Sequence, residues 1–146
     1  MSIHKVTKYL ITILFAANII CLAAVPFLPD KVFTLFRYGD SNILLLKIVL
    51  FVTGIFSAIM LFTLLQLYNS MLAGNPFNQK NPALLGRIGV LGLMIAAVYV
   101  FKLSFAPTFG TMVIIMIFII CFLFCLTLKS LFAKAAGYKE ENDLTI

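Results

Sequence analysis

The sequence predicts an all-α membrane protein, a four-transmembrane-helix antiparallel bundle with short loops and a C-terminal helical extension. Hydrophobic residues occupy 63% of the 146 positions and charged residues only 11%, whereas a soluble domain is about half apolar and about a quarter charged. The apolar residues also form four continuous blocks, each long enough to cross the roughly 30 Å hydrocarbon core of a bilayer as a helix. Residues 1–146 are therefore expected to form a single transmembrane domain.

The first predicted span covers residues 9–28. Lys5 and Lys8 precede it, and Pro26 and Pro29 close it, because proline disfavours the continuation of a helix. A cleaved signal peptide is the alternative, since lysines before an apolar stretch share that pattern. The stretch is longer than the apolar core of a typical signal peptide, which favours a retained helix.

The second predicted span covers residues 43–68 and follows the Gly-Asp-Ser-Asn segment 39–42, whose residue types favour a turn and a helix N-cap at Asn42. A helix of that length is roughly 39 Å long, which exceeds the thickness of the hydrocarbon core. We therefore expect this span to tilt or to protrude at its Tyr68 end.

The polar segment 69–82 links the second span to the third, which covers residues 84–105. Gly74 favours the left-handed conformation that ends many helices. Asn81 followed by Pro82 is typical of a helix start, with an N-cap and a proline at the first helical position. We interpret the segment as a shaped hinge between the two spans.

A turn at residues 106–110 precedes the fourth span, residues 111–128, which contains no charged residue. The tail, residues 129–146, continues the apolar face of that span, and Gly137 is expected to end its helix. Apolar residues alternate in the last three positions, a pattern that fits either pairing with the strand edge of a partner or a frayed terminus.

Small residues recur on the second and third spans. Gly86, Gly89 and Gly92 lie every third residue on the third span, and Gly54 stands four residues before Ala58 on the second. Small residues at such spacing allow helices to approach closely. Packing within one bundle and formation of a homo-oligomer would both use such a face.

Lysine and arginine are distributed unevenly between the two ends of the predicted bundle. Four lie at the end that holds the first and third loops, and the other end, with both termini, holds Lys5, Lys8, Lys80, Arg87, Lys129, Lys134 and Lys139. Because cytoplasmic segments carry the excess of basic residues, we expect both termini to lie in the cytoplasm, with the chain in the inner (cytoplasmic) cell membrane.

The composition argues against several classes of function. One histidine and five acidic residues do not supply a catalytic triad or a metal site, and the three cysteines lie inside apolar blocks as small hydrophobic residues. The net charge of +6 is scattered at block edges rather than gathered in a nucleic-acid-binding stripe. We expect no enzymatic activity, no cofactor and no direct nucleic acid binding, with membrane lipids as the surroundings.

Lys47 and Lys102 lie deepest in the predicted spans, each near the end opposite the termini. Charged residues at bilayer depth are candidates for a functional site. With Lys31 and Arg37 they would form a basic layer, which either extends toward lipid headgroups or forms a pocket for an anionic lipid or a peptide carboxylate.

Two short patterns resemble a bacterial family of four-span membrane proteins catalogued as domain of unknown function 2975. The residues that carry the resemblance are Asn75-Pro76-Phe77, Asn81, Leu85, Arg87-Ile88-Gly89 and Glu141-Asn142-Asp143-Leu144-Thr145-Ile146. The resemblance covers essentially the whole chain and implies four spans. Since members are often encoded beside a very small helix-turn-helix protein, it also implies a possible small DNA-binding regulator as partner, and it implies no catalytic residue.

The leading hypothesis is a non-enzymatic interaction or regulatory protein whose cytoplasmic face binds a protein partner. The residues predicted to contact the partner are Asn75, Pro76, Phe77, Asn81, Arg87, Glu141, Asp143, Leu144 and Ile146. The alternative is a small transporter or a protein that binds an anionic lipid or peptide through Lys31, Arg37, Lys47 and Lys102.

Overall fold

The fold, taken from a computed structural model that describes residues 2–35 and 42–145, consists of helices joined by short loops. The elements are α1 (Ile3–Ala24), a 3-10 turn (Val25–Phe27), α2 (Asp30–Leu35), α3 (Ile43–Leu72), α4 (Lys80–Leu103) and α5 (Phe109–Leu144). Four of the helices, α1 with its 3-10 turn, α3, α4 and α5, are long and apolar enough to cross a membrane. The predicted all-helical, four-span bundle is confirmed.

The long helices pack in chain order, α1 against α3, α3 against α4 and α4 against α5. Successive helices run antiparallel, since residue numbers rise along one helix while those of its contacts fall along the next. On α1 and α3, for example, the Tyr68 hydroxyl donates to the backbone oxygen of His4 at 2.9 Å, and the Asn18 amide donates to the Ser57 hydroxyl at 2.9 Å. The start of α1, the end of α3 and the start of α4 therefore lie at the same end of the bundle as the C-terminal part of α5.

The glycine face of α4 lies against α5. A Cβ on Gly86 would stand 3.1 Å from the Lys129 Nζ atom, one on Gly89 would stand 3.1 Å from the Cys125 Cβ atom, and Gly92 faces Phe118. The buried core of this end, Leu67, Leu85, Ile88 and Cys125, gathers beside the same contact. The small residues of the third span therefore serve close packing within one chain.

Gly54 plays the same part between α3 and α1. A Cβ at that position would stand 2.8 Å from the Cδ1 atom of Leu22. Because the Asn18–Ser57 hydrogen bond lies next to this contact along α3, one small residue and one polar pair fix α1 against its neighbour.

Gly74 adopts the predicted left-handed conformation, with a φ of 93°. The predicted start of α4 is wrong, since the helix begins at Lys80 rather than after Asn81. The capping side chain belongs to Asn78, whose Oδ1 accepts hydrogen bonds from the backbone N–H groups of Lys80 at 2.9 Å and Asn81 at 3.1 Å. Asn81 is fully buried instead.

The prediction that Gly137 ends the last helix is also wrong, because α5 continues to Leu144. A glycine inside a helix costs only about 1 kcal/mol relative to alanine. The buried Ala136 and the Lys139 and Glu140 side chains, which bond to the α3–α4 connection, hold the helix on both sides of this position. Tertiary contacts thus outweigh the local preference.

At the start of α3, Asn42 occupies the predicted N-cap position. Its side chain makes no capping hydrogen bond and instead donates to the backbone oxygen of Phe105 at 3.2 Å, between α4 and α5. The rest of the predicted turn, residues 39–41, lies outside the described residues.

Replacing Gly89 by leucine should lower the melting temperature of the detergent-solubilised protein by several degrees, because an added side chain would overpack the α4–α5 contact by about 1–3 kcal/mol. The matched control is Gly137→Ala, which meets no atom within 4 Å and should leave the melting temperature unchanged or raised. A Gly89→Leu protein with the same melting temperature as the wild type would contradict the described packing.

Candidate functional site

The connection between α3 and α4 packs against the C-terminal part of α5. We call residues 73–79 the α3–α4 loop and residues 129–144 the α5 extension. The Lys139 ammonium donates to the Asn75 side-chain oxygen at 2.5 Å, and the Gln79 amide donates to a Glu140 carboxylate oxygen at 2.9 Å. An aromatic pair joins the same two segments, so that two hydrogen bonds and one aromatic contact connect them.

The aromatic pair consists of Phe77 in the loop and Phe132 in the extension, with ring centroids 5.6 Å apart and an interplanar angle of 43°. Tilted rings at that separation attract one another beyond simple burial. Phe132 also packs on the buried core that contains Leu67, Leu85 and Ile88. The aromatic contact therefore links the loop, through the extension, to the interior of the bundle.

Hydrogen bonds inside the loop fix its shape. The Asn78 amide donates to the Ser70 hydroxyl at 3.0 Å, and the Asn81 amide donates to the backbone oxygen of Pro76 at 2.5 Å. The side-chain oxygen of Asn81 is buried without a hydrogen-bond partner. Asn81 is thus a structural residue that shapes the loop from beneath, and no partner can reach it from outside.

The predicted partner-contacting residues fall into three groups. Asn75, Pro76 and Phe77 lie in the loop, beside the extension, and Asn81 is buried below them. Exposed Glu141, Asp143 and Leu144 form the end of α5, and Ile146 lies outside the described residues. Arg87 stands apart from both segments, on the side of α4 that faces α3.

Sequence reasoning missed five residues of this contact. They are Asn78, Gln79, Phe132, Lys139 and Glu140. A signal was present in the spacing, because Phe132, Ala136, Lys139 and Glu140 recur at helical intervals and would share one face if α5 were continued. The assumption that the helix stops at Gly137 concealed that face.

Arg87 lines an open space with a mixed polar and apolar lining between the last turns of α3 and the first turns of α4. We call it the α3–α4 cleft; its volume is about 570 Å³. Its polar lining residues are Gln66, Asn69, Ser70, Lys80 and Arg87, and Ala83 and Leu84 complete the wall. All five polar side chains carry hydrogen-bond donors, and none is a carboxylate.

At the other end of the bundle, Lys102 is 5% exposed, so its charged tip remains within the protein. Its ammonium donates to the Thr111 hydroxyl at 2.7 Å and lies 6.0 Å from the centroid of the Tyr99 ring. The Thr108 and Thr111 hydroxyls are 2.7 Å apart, and the Thr108 hydroxyl accepts a bond from the backbone N–H of Thr111. The first turn of α5 thus supplies a hydrogen-bond acceptor for the Lys102 ammonium.

A largely apolar cavity of about 300 Å³ adjoins Lys102. Phe33 and Tyr99 also line it, together with residues of α3. Lys47 lines a different groove. Its ammonium pairs with Asp30 at 2.8 Å and lies 5.8 Å from the Phe33 ring centroid. Phe33 therefore lines the cavity beside Lys102 and also lies near the Lys47 ammonium.

The other two members of the predicted basic layer do not join them. Lys31 is exposed on α2, and Arg37 lies outside the described residues. Among residues 2–35 and 42–145, no group of three or more histidine, cysteine, aspartate or glutamate side chains could hold a metal ion. The three cysteines are free thiols, with Cys125 buried in the bundle.

Comparison with known proteins gives one match. The family described as protein of unknown function, DUF2975, matches residues 7–146, which is nearly the whole chain and both candidate segments. No curated protein and no solved structure matches the chain.

Replacing Phe132 by alanine should release the α3–α4 loop, because it removes an aromatic contact worth about 1 kcal/mol in addition to buried area. Tryptic cleavage after Lys80 and Lys139 in detergent should then become about fivefold faster, in proportion to the opened population. The control is Leu131→Ala, since Leu131 is 56% exposed and should leave the rate unchanged. Equal rates for the wild type and Phe132→Ala would contradict the described contact.

Proposed function

We propose that this protein, which belongs to the DUF2975 family of unknown function, is a non-enzymatic interaction protein of a bacterial cytoplasmic membrane. The α3–α4 loop and the α5 extension would together form its binding surface for a protein partner. The support comes from the length of α5, from the contacts that brace its end, and from the distribution of charge.

The length of α5 carries the proposal. Its 36 residues extend over roughly 54 Å, about 24 Å more than the hydrocarbon core of a bilayer. Residues 111–128 contain no charge, and lysines begin at position 129. A bilayer that covers the uncharged part leaves the α5 extension projecting from the membrane, where it is held by the loop.

The start of α1 and the end of α5 lie at the end of the bundle that carries this surface, as the Tyr68–His4 hydrogen bond and the loop–extension contacts require. The basic residues near that end outnumber those near the other, which favours the cytoplasm for it. A cytoplasmic surface of this kind is available to a soluble regulator.

The chemistry of the surface suggests its partner. Tyr138 and Leu144 are 71% and 86% exposed, and the acidic Glu141 and Asp143 lie between them. Apolar anchors among carboxylates complement a partner with a basic rim. A small helix-turn-helix protein is such a partner, because DNA-binding domains are typically basic.

A photo-crosslinking residue at position 138 should capture one protein in native membranes, whereas the same residue at position 109 should not. Phe109 is the matched control, because it is 82% exposed on the same helix at the opposite end. Replacing Asp143 by lysine together with Leu144→Ala should reduce the captured protein at least tenfold, as expected when about 2 kcal/mol of anchoring and charge attraction is lost. Mass spectrometry identifies the captured protein, and an unchanged yield in the double variant would defeat the proposal.

The Lys102 cavity supports a second candidate, a protein that binds an anionic apolar ligand. A largely apolar cavity with a lysine at its wall suits a molecule with a carboxylate head and an alkyl tail. Such a site would serve transport or sensing of the ligand.

Decanoate should raise the melting temperature of the wild type more than decanol does, because only decanoate carries the charge that Lys102 would recognise. The Lys102→Met variant should lose this difference, and Lys31→Met, at an exposed position of α2, should retain it. If decanoate and decanol act equally on the wild type, the second candidate is wrong.

A further inference from the structure

The α3–α4 cleft combines two cations with neutral hydrogen-bond donors. Lys80 and Arg87 are both exposed and stand seven residues apart on α4, which is two turns or roughly 10 Å along one face. Gln66 and Asn69 lie opposite on α3. Four donor-bearing side chains from two helices thus line one space.

Ser70 adds a further donor to the cleft. Its hydroxyl oxygen accepts the Asn78 amide at 3.0 Å, so its proton is directed elsewhere, and the residue lines the cleft. Among residues 2–35 and 42–145, neither Lys80 nor Arg87 takes part in a side-chain ion pair. The cleft therefore presents positive charge that an anion from outside can neutralise.

The position of the cleft places it at the level of the lipid headgroups. Lys80 is the first residue of α4, and Gln66 and Ser70 belong to the last two turns of α3. Because each helix exceeds the hydrocarbon thickness and these turns carry polar side chains, they are expected to lie in the interfacial layer. Arg87, two turns further along α4 than Lys80, can extend its guanidinium back to that layer.

An apolar path continues from the cleft toward the middle of the bilayer. Val90, nearly one turn after Arg87, is 51% exposed, and Phe62, one turn before Gln66, is 49% exposed and lies beside Phe15 of α1, with ring centroids 6.2 Å apart. Both share the helix faces that form the cleft. A ligand with a phosphate head and acyl chains can therefore place its head on the cations and its chains along these side chains.

We propose that the α3–α4 cleft binds the phosphate group of an anionic phospholipid, with Lys80 and Arg87 as its charge partners. Basic pockets between membrane helices are suited to such headgroups. The same phosphate chemistry would accept a free phosphate ion, and the apolar path beside the cleft favours the lipid. This assignment is independent of the partner surface, since the cleft lies on α3 and α4 and shares no residue with the α3–α4 loop or the α5 extension.

Native mass spectrometry of the full-length protein, titrated with dioleoyl phosphatidylglycerol in detergent, tests the proposal. The wild type should bind this lipid more tightly than dioleoyl phosphatidylcholine, and Lys80→Gln with Arg87→Gln should weaken binding at least tenfold, because both cations that attract the anionic headgroup are removed. The charge-matched control is Lys5→Gln with Lys8→Gln on α1, which should bind as the wild type does. The swap Lys80→Arg with Arg87→Lys keeps the charge and should retain binding, which separates lost charge from altered folding.

Three results would overturn the proposal. The first is equal binding of the two lipids by the wild type, and the second is an equal loss in the α1 control, which would indicate a general surface charge effect. The third is complete displacement of phosphatidylglycerol by millimolar inorganic phosphate, which would assign the cleft to the free ion. Retention of the lipid in the presence of inorganic phosphate supports the phospholipid assignment.

Discussion

The close contact between α4 and α5 is the constraint on which the rest of the structure depends. Inside a bilayer the hydrophobic effect does not draw helices together, so their association relies on dense packing and hydrogen bonds. Gly86 and Gly89 remove side chains where α5 crosses α4, and Cys125 fills the space beside them. The α4–α5 crossing places the α5 extension beside the α3–α4 loop, where its side chains contact the loop. The contacts of the loop therefore depend on how α4 and α5 pack within the bundle.

The two ends of the bundle use polar side chains in contrasting ways. At the end with the termini, Lys139 and Glu140 bond across to a loop and leave the cations of the cleft exposed. At the opposite end, Lys102 is withdrawn among Thr111 and Tyr99, and Lys47 is paired with an acid. The first arrangement leaves its cations exposed to outside molecules, whereas the second gives each lysine a partner within the protein.

How far the sequence predicted this structure depends on the range of the interactions concerned. The four spans and the left-handed Gly74 follow from local hydropathy and local backbone preference, and both are confirmed. Asn78 rather than Asn81 accepts the hydrogen bonds at the start of α4 because the bundle buries Asn81. The sequence does not reveal this difference, since both residues are asparagines with the same local preference. The same dependence on tertiary contacts explains the wrong prediction at Gly137. Because the helix was expected to end there, the contacts of Lys139 and Glu140 with the loop were not predicted.

The serial order of packing, in which each long helix packs against the long helices next to it in the chain, has a consequence for biogenesis. Every long helix after the first meets one of its packing neighbours as soon as it leaves the insertion machinery, so no helix must wait for a segment distant in the chain. Contacts of short sequence separation also form fastest. The bundle can therefore assemble hairpin by hairpin during translation, and the contacts between the α3–α4 loop and the α5 extension form after the earlier helices have packed.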